Sequence, residues 1–189
     1  MTYPEAIRFL YELRWFGPKL GLENTLKLAA LAGNPQQRLR FIHVAGTNGK
    51  GSTCAMLESI YRAAGLRVGL FTSPHLVSFR ERIQVNRELI SEADVVRLAS
   101  ELQRLMGHFD VVRRASVQPA DSNGVSARSS SSGGAKSPPT VTPNAGPTPP
   151  TFFEVVTVMA LRYFAEQNCD LVIWETGLGG RLEIGRAHV

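Results

Sequence analysis

The stretch from Phe41 to Ala64 constrains the fold of this chain more than any other part of its sequence. A short apolar strand, Phe41–Ala45, leads into a glycine-rich loop that carries Lys50 and Ser52, and a helical pattern follows. Glycines let the backbone approach an anion, the first free N–H groups of a helix point towards it, and a lysine adds positive charge. The stretch therefore predicts a phosphate-binding loop between a strand and a helix.

The loop departs at two positions from the commonest phosphate-binding pattern, G-x-x-x-x-G-K-S/T. Val44 stands where the first glycine is expected, and Gly51 separates Lys50 from Ser52. A purely structural glycine turn is the alternative interpretation. Phosphate binding is favoured because a structural turn needs neither the lysine nor the serine at this spacing.

The other hydrophobic patterns predict an α/β fold in which helices flank a P-loop-type parallel sheet. A second strand is predicted over Arg67–Thr72, and strand, helix and strand at this spacing form a right-handed parallel unit. Such a unit places the loop at the carboxyl edge of the sheet. Four further helices and one further strand are predicted, over Pro4–Phe16, Leu22–Ala32, Ser91–Met106, Phe152–Gln167 and Leu171–Trp174.

The composition narrows the functional class. Of the 189 residues, 43% are hydrophobic and 20% are charged, which is typical of a soluble globular protein. No apolar run is long enough to span a membrane and no signal-peptide pattern is present, so we expect a cytoplasmic protein without a membrane partner. The net charge of +5 suits an anionic substrate, whereas the basic stripe with interleaved aromatics that nucleic-acid binding needs is missing. Cys54 and Cys169 form no zinc pattern and are expected to be buried free thiols.

Four segments, in this order along the chain, resemble the folylpolyglutamate synthase/dihydrofolate synthase family of the Mur-ligase superfamily. The segments are Gly33–Gln36 leading to His43–Ser52, Phe71–Leu76, Thr151–Glu154, and Glu175–Leu182. The resemblance also accounts for the irregular glycine loop, since this superfamily has its own variant. It implies a Mur-ligase central ATPase domain, here incomplete.

The resemblance implies an ATP-dependent ligase of folate biosynthesis. Such an enzyme joins L-glutamate to dihydropteroate, to folate polyglutamates, or to both, through an acyl-phosphate intermediate. ATP and Mg²⁺ would be the cofactors, and we expect a monomer. Another Mur-type ligase acting on a cell-wall precursor is the near alternative, and a non-catalytic nucleotide-binding module is the alternative from a different class.

The resemblance also assigns the site residues. The ATP phosphates would be held by Thr47, Asn48, Gly49, Lys50, Gly51, Ser52 and Thr53, with Lys50 catalytic. The magnesium ligands would be Ser73 and Glu175, and the acceptor substrate would contact Thr151, Phe152, Phe153, Glu154 and Leu182. Independently of the family, Thr151 and Glu154 have the spacing of a helix capping box. His75 is expected to be a hydrogen-bonding residue near the folate loop, and His43 a structural one.

Two segments depart from the family pattern. Residues 116–150 are dominated by Ser, Pro, Gly, Ala and Thr, which predicts a disordered insertion within an ATP-binding domain spanning residues 1–182. Residues 183–189 do not continue the family sequence, so we interpret them as a non-native tail. The C-terminal glutamate-binding domain of the family would then be absent, and we expect the chain alone to lack ligase activity.

Overall fold

The computed structural model describes residues 1–16, 21–116 and 149–177. Within these ranges a five-stranded sheet is formed by β1 (Phe41–Val44), β2 (Val68–Phe71), β3 (Ile83–Val85), β4 (Glu88–Leu89) and β5 (Leu171–Glu175). The strand order is β1-β5-β2-β3-β4. The first three strands in this order are parallel, and β3 and β4 add an antiparallel edge.

Helices cover both faces of the sheet. They are α1 (Tyr3–Glu12), α2 (Glu23–Leu31), α3 (Lys50–Ala63), α4 (Glu92–Ser116) and α5 (Phe152–Glu166), with short 3-10 helices at Leu13–Phe16, Pro35–Arg38 and Phe79–Arg82. No helix in the described ranges is both long and apolar enough to cross a membrane.

The alternation of side chains along the strands creates two cores. Phe71 and Trp174 stack at 4.0 Å between ring centroids on the face that α1, α2, α4 and α5 cover. Leu70 and Ile173, one residue earlier on each strand, point to the opposite face and pack with Cys54 of α3. Successive strand residues face opposite sides of a sheet, so buried strands such as β2 must be apolar on both faces.

The predicted α/β class is confirmed, and the differences lie in the details. The strands of the β1–α3–β2 unit are parallel as predicted, but β5 lies between them and pairs with both, so the unit skips one strand position. Helix α4 continues beyond Met106 to Ser116 because Gly107 costs only about 1 kcal/mol inside a helix and does not end it. Both cysteines are buried free thiols as expected.

Several predictions lie outside the described residues. They concern Leu182, the tail at 183–189, and the insertion at 116–150 except for its terminal residues Ser116, Pro149 and Pro150. The predicted domain limits therefore stay predictions.

Candidate functional site

The glycine-rich loop joins the carboxyl end of β1 to the amino end of α3, as the sequence predicts. Gly49 is the N-cap of α3 and has a φ of 76°, in the left-handed region that glycine adopts without strain. The first turn of α3 contains no acidic residue. The positive end of the helix dipole is therefore left open to an external anion.

The loop borders a cleft of about 280 Å³. Nζ of Lys50 donates a hydrogen bond to the carbonyl oxygen of Gly46 at 2.9 Å, so the ammonium group lies over the loop. Thr53 Oγ1 donates to the carbonyl oxygen of Gly49 at 3.0 Å. The predicted phosphate-binding residues other than Lys50 are exposed, and Lys50 is half-buried. The cleft is lined by Ala45, Gly46, Thr47, Lys50, Thr176 and Gly177.

The ends of three parallel strands are tied together beside this cleft. Glu175, the last residue of β5, is only 6% exposed, and its Oε2 accepts a hydrogen bond from the backbone N–H of Ser73 at 2.9 Å. Thr176 donates from its N–H and its Oγ1 to the carbonyl oxygen of Val44, at 3.1 and 3.2 Å. The structure therefore brings together Glu175 and Ser73, the predicted magnesium ligands, through the amide of Ser73.

The donor set at this edge suits Mg²⁺ better than a softer metal. A carboxylate and a hydroxyl are hard oxygen donors, and magnesium is commonly held by one or two carboxylates together with substrate phosphates and water. Among the residues that the structure describes, no group of three His, Cys, Asp or Glu could hold a metal ion. A magnesium ion bound by Glu175 and Ser73 would therefore complete its shell with phosphates and water.

The Thr151–Glu154 segment forms the predicted capping box at the start of α5. The N–H of Thr151 donates to Oε2 of Glu154 at 2.6 Å, and the N–H of Glu154 donates to Oγ1 of Thr151 at 3.4 Å. The ring of Phe153 lies so close to Gly177 that a Cβ atom at Gly177 would stand 2.7 Å from it. Phe152 is only 7% exposed and stacks on Tyr11 at 5.7 Å. The segment thus reaches the cleft, but its aromatic rings are largely used in packing.

The two histidines singled out in the sequence have packing and hydrogen-bonding roles in the structure. Nδ1 of His75 accepts a hydrogen bond from Nε of Arg82 at 2.7 Å, and the Tyr11 hydroxyl lies 2.9 Å from Nε2. Burial and then the charge of Arg82 lower the pKa of His75. His43 is half-buried on β1 and stacks on Phe41 with 5.6 Å between the ring centroids.

Several residues that the structure places at this site were assigned no role from the sequence. The cleft is also lined by Ala45, Gly46, Thr176 and Gly177. They could have been found in the sequence because they lie next to, or within two residues of, predicted site residues. Arg82 is 4% exposed and carried no such signal, because the burial of an arginine depends on contacts between distant segments.

Comparison with known proteins identifies the family. No protein-family model matches the chain. The dihydrofolate synthase/folylpolyglutamate synthase of Bacillus subtilis is 36% identical over 183 residues, which are 96% of this chain and 35% of the relative. The corresponding protein of Escherichia coli is 33% identical over 164 residues, 87% of this chain and 30% of the relative. The chain belongs to the folylpolyglutamate synthase/dihydrofolate synthase family.

Solved structures agree with this family and with the predicted Mur-ligase-type fold. Folylpolyglutamate synthase from Thermotoga maritima superposes with a TM-score of 0.71 at 38% identity, covering 95% of this chain and 34% of that one. A folylpolyglutamate synthase complex with AMPPCP and folate gives a TM-score of 0.72 at 27% identity, covering 98% of this chain and 38% of that one. The chain spans 18–35% of the length of the first three curated relatives that it matches.

Proposed function

We propose that this chain carries the nucleotide-binding part of an ATP-dependent ligase that joins L-glutamate to dihydropteroate, to folates, or to both. The observation that carries the proposal is the cleft in which Lys50 and the open end of α3 lie beside Thr176 and the buried Glu175. Such an arrangement offers backbone donors, one cation and one carboxylate, which are the groups that phosphoryl transfer requires. A related structure with bound AMPPCP and folate supports this assignment.

In this proposal the glycine loop holds the triphosphate. The backbone N–H groups of residues 47–52 donate to phosphate oxygens, and Lys50 exchanges its contact with Gly46 for the phosphoryl group being transferred. Glu175 and Ser73 hold Mg²⁺, which neutralises phosphate charge when it is bound. Helix α3 supports the binding of the triphosphate because its amino end, the positive end of the helix dipole, faces the anion.

The acceptor would bind on the side of Glu175 that faces away from the glycine loop, near Thr151–Glu154. Leu182 would also contact the acceptor. A carboxylate oxygen of the acceptor attacks the γ-phosphorus, ADP leaves, and an acyl phosphate forms. The amine of glutamate then attacks the acyl carbon, phosphate leaves, and the amide forms with loss of one proton. The chain's contribution to both steps is positioning and charge neutralisation.

We further propose that the protein works in the cytoplasm and as a monomer. The free thiols Cys54 and Cys169 support a reducing compartment, where disulfides are rare. Sedimentation of the purified chain tests the monomeric state directly, and a dimer would contradict it.

The proposed function is tested by nucleotide binding and by acceptor choice. Lys50→Ala should weaken AMPPCP binding by roughly 10- to 100-fold, because a charge-assisted contact to phosphate is lost. Lys27→Ala, which removes an exposed lysine on α2, is the matched control and should leave binding unchanged. In the full-length protein, dihydropteroate, and not a cell-wall nucleotide precursor, should stimulate ADP release. Stimulation by the cell-wall precursor alone would assign another Mur-type ligase, and undiminished AMPPCP binding by Lys50→Ala would contradict the role of the loop.

A further inference from the structure

Arg82 is a buried cation that no carboxylate neutralises within the described part of the chain. Its Nε donates to Nδ1 of His75, and among residues 1–16, 21–116 and 149–177 its guanidinium group forms no ion pair. Burying a charge without a counter-charge is costly. Glu81, the acidic residue next to Arg82 in the sequence, does not act as its counter-ion. The carboxylate of Glu81 instead accepts hydrogen bonds from the N–H groups of Leu76, Val77 and Ser78.

A second arginine stands over the same aromatic ring. Cζ of Arg14 lies 4.9 Å from the centroid of Phe152, and Cζ of Arg82 lies 5.4 Å from it. Arg14 also lies 4.8 Å from the ring of Tyr11 and forms no ion pair with any residue that the structure describes. Cation–π contacts offset part of the desolvation of these groups, but two like charges at one ring favour the arrival of an anion.

The arginine pair belongs to the catalytic edge of the sheet but is remote from the phosphate loop. Arg82 lies opposite Thr72, whose N–H donates to the Arg82 carbonyl oxygen at 3.1 Å, next to Ser73. The strand order places β5 and β2 between β1 and β3. Neighbouring strands are about 4.8 Å apart, so the ends of β1 and β3 are separated by about 14 Å. Tyr11 and Phe152 are on the face covered by α1 and α5, whereas α3 covers the opposite face.

We propose that Arg82 and Arg14 bind a carboxylate of the acceptor substrate other than the one that is phosphorylated. The inference rests on the proposed function. The reacting carboxylate must meet the γ-phosphate near the glycine loop, so a carboxylate at Arg82 has to be a second one. The two η nitrogens of one arginine match the two oxygens of a carboxylate. The pair therefore favours folate, whose glutamyl group adds carboxylates, over pteroate, which has only one.

Folate and pteroate are suitable probes because they share the pterin and the aminobenzoyl group and differ in the glutamyl carboxylates. In the whole 189-residue chain, Arg82→Gln should weaken folate binding by roughly 10- to 100-fold and leave pteroate binding within about twofold. Arg14→Gln, at an exposed position, should weaken folate binding by about 3- to 10-fold through loss of charge. If Arg82→Gln fails to fold, the Arg14→Gln variant still tests the inference.

Arg80→Gln is the matched control. Arg80 belongs to the same 3-10 helix as Arg82. Its Nε already donates a hydrogen bond to the carbonyl oxygen of Ile90, and its Nη1 lies 4.0 Å from Oε1 of Glu92. This variant should bind folate like the wild type, and AMPPCP binding should be unchanged in all three variants.

The outcomes separate the inference from the proposed function. Equal loss of folate and pteroate binding, unchanged folate binding in both variants, or absence of folate binding by the wild type would each overturn the inference. If AMPPCP still binds, the proposed function survives those results. Failure of the wild type to bind AMPPCP would instead overturn the proposed function.

Discussion

At the scale of single residues, Glu175 connects the sheet to the proposed chemistry. Its carboxylate is buried and accepts a hydrogen bond from the N–H of Ser73 at 2.9 Å. An amide oxygen could accept the same hydrogen bond, so Glu175→Gln removes the charge and keeps the local geometry. The variant therefore separates a structural from a metal-binding role.

We predict that Glu175→Gln weakens AMPPCP binding roughly tenfold in the presence of Mg²⁺ and has little effect without it, because only the ion needs the carboxylate. Titrations of AMPPCP with and without Mg²⁺ measure the difference. Glu88→Gln, at an exposed position on β4, is the control. An equal loss under both conditions would mean that Glu175 acts through the fold and not through the metal.

At the scale of elements, local sequence signals predicted most of the helices and strands. The capping box at Thr151, the glycine at position 49 and the apolar runs of β2 and β5 each act within a few residues, so they can be recognised in the sequence. The position of β5 between β1 and β2 could not be predicted in this way. It depends on pairing between residues more than a hundred positions apart, to which no local pattern refers.

The residues of the candidate site were likewise predicted where a local motif contains them and missed where their role depends on contacts between distant segments. Residues of the glycine loop, with Ser73 and Glu175, were predicted because each belongs to a recognisable motif at the end of a strand. Arg82 was missed because its importance comes from its burial beside Phe152 and His75, which are distant in sequence.

The contact between β2 and α5 depends on a glycine. A Cβ atom at Gly69 would lie 2.8 Å from the ring of Phe164, which is fully buried. We predict that Gly69→Ala lowers the free energy of unfolding by about 1–3 kcal/mol, because the helix must move away from the sheet. Urea denaturation measures this change.

Gly51→Ala provides the comparison for Gly69→Ala. Gly51 is in α3, and a Cβ atom added there would have no neighbouring atom within 4 Å. Its replacement should therefore leave the free energy of unfolding unchanged or raise it by up to about 1 kcal/mol. Equal destabilisation by both substitutions would mean that close packing against Phe164 is not the cause.

At the scale of the whole molecule, the larger core joins the helical layer to the sheet. One buried cluster includes Leu10 of α1 and Leu28 of α2 together with Phe71 and Trp174 of the central strands. Helices and sheet should therefore unfold together, since neither can keep its apolar face covered without the other. Helix α1 is consequently a structural support for the strand ends at which the site is built.

Leu10→Ala tests this coupling. The side chain is fully buried, so its truncation should cost about 2–5 kcal/mol, whereas Leu26→Ala, at a position that is 48% exposed, should change stability by no more than about 0.5 kcal/mol. Far-ultraviolet circular dichroism reports the helices and near-ultraviolet circular dichroism reports aromatic packing that includes Trp174. Both signals should shift to the same lower denaturant midpoint in Leu10→Ala. If the helical signal alone moved, α1 would unfold independently, and the sheet edge with Lys50 and Glu175 would not depend on it.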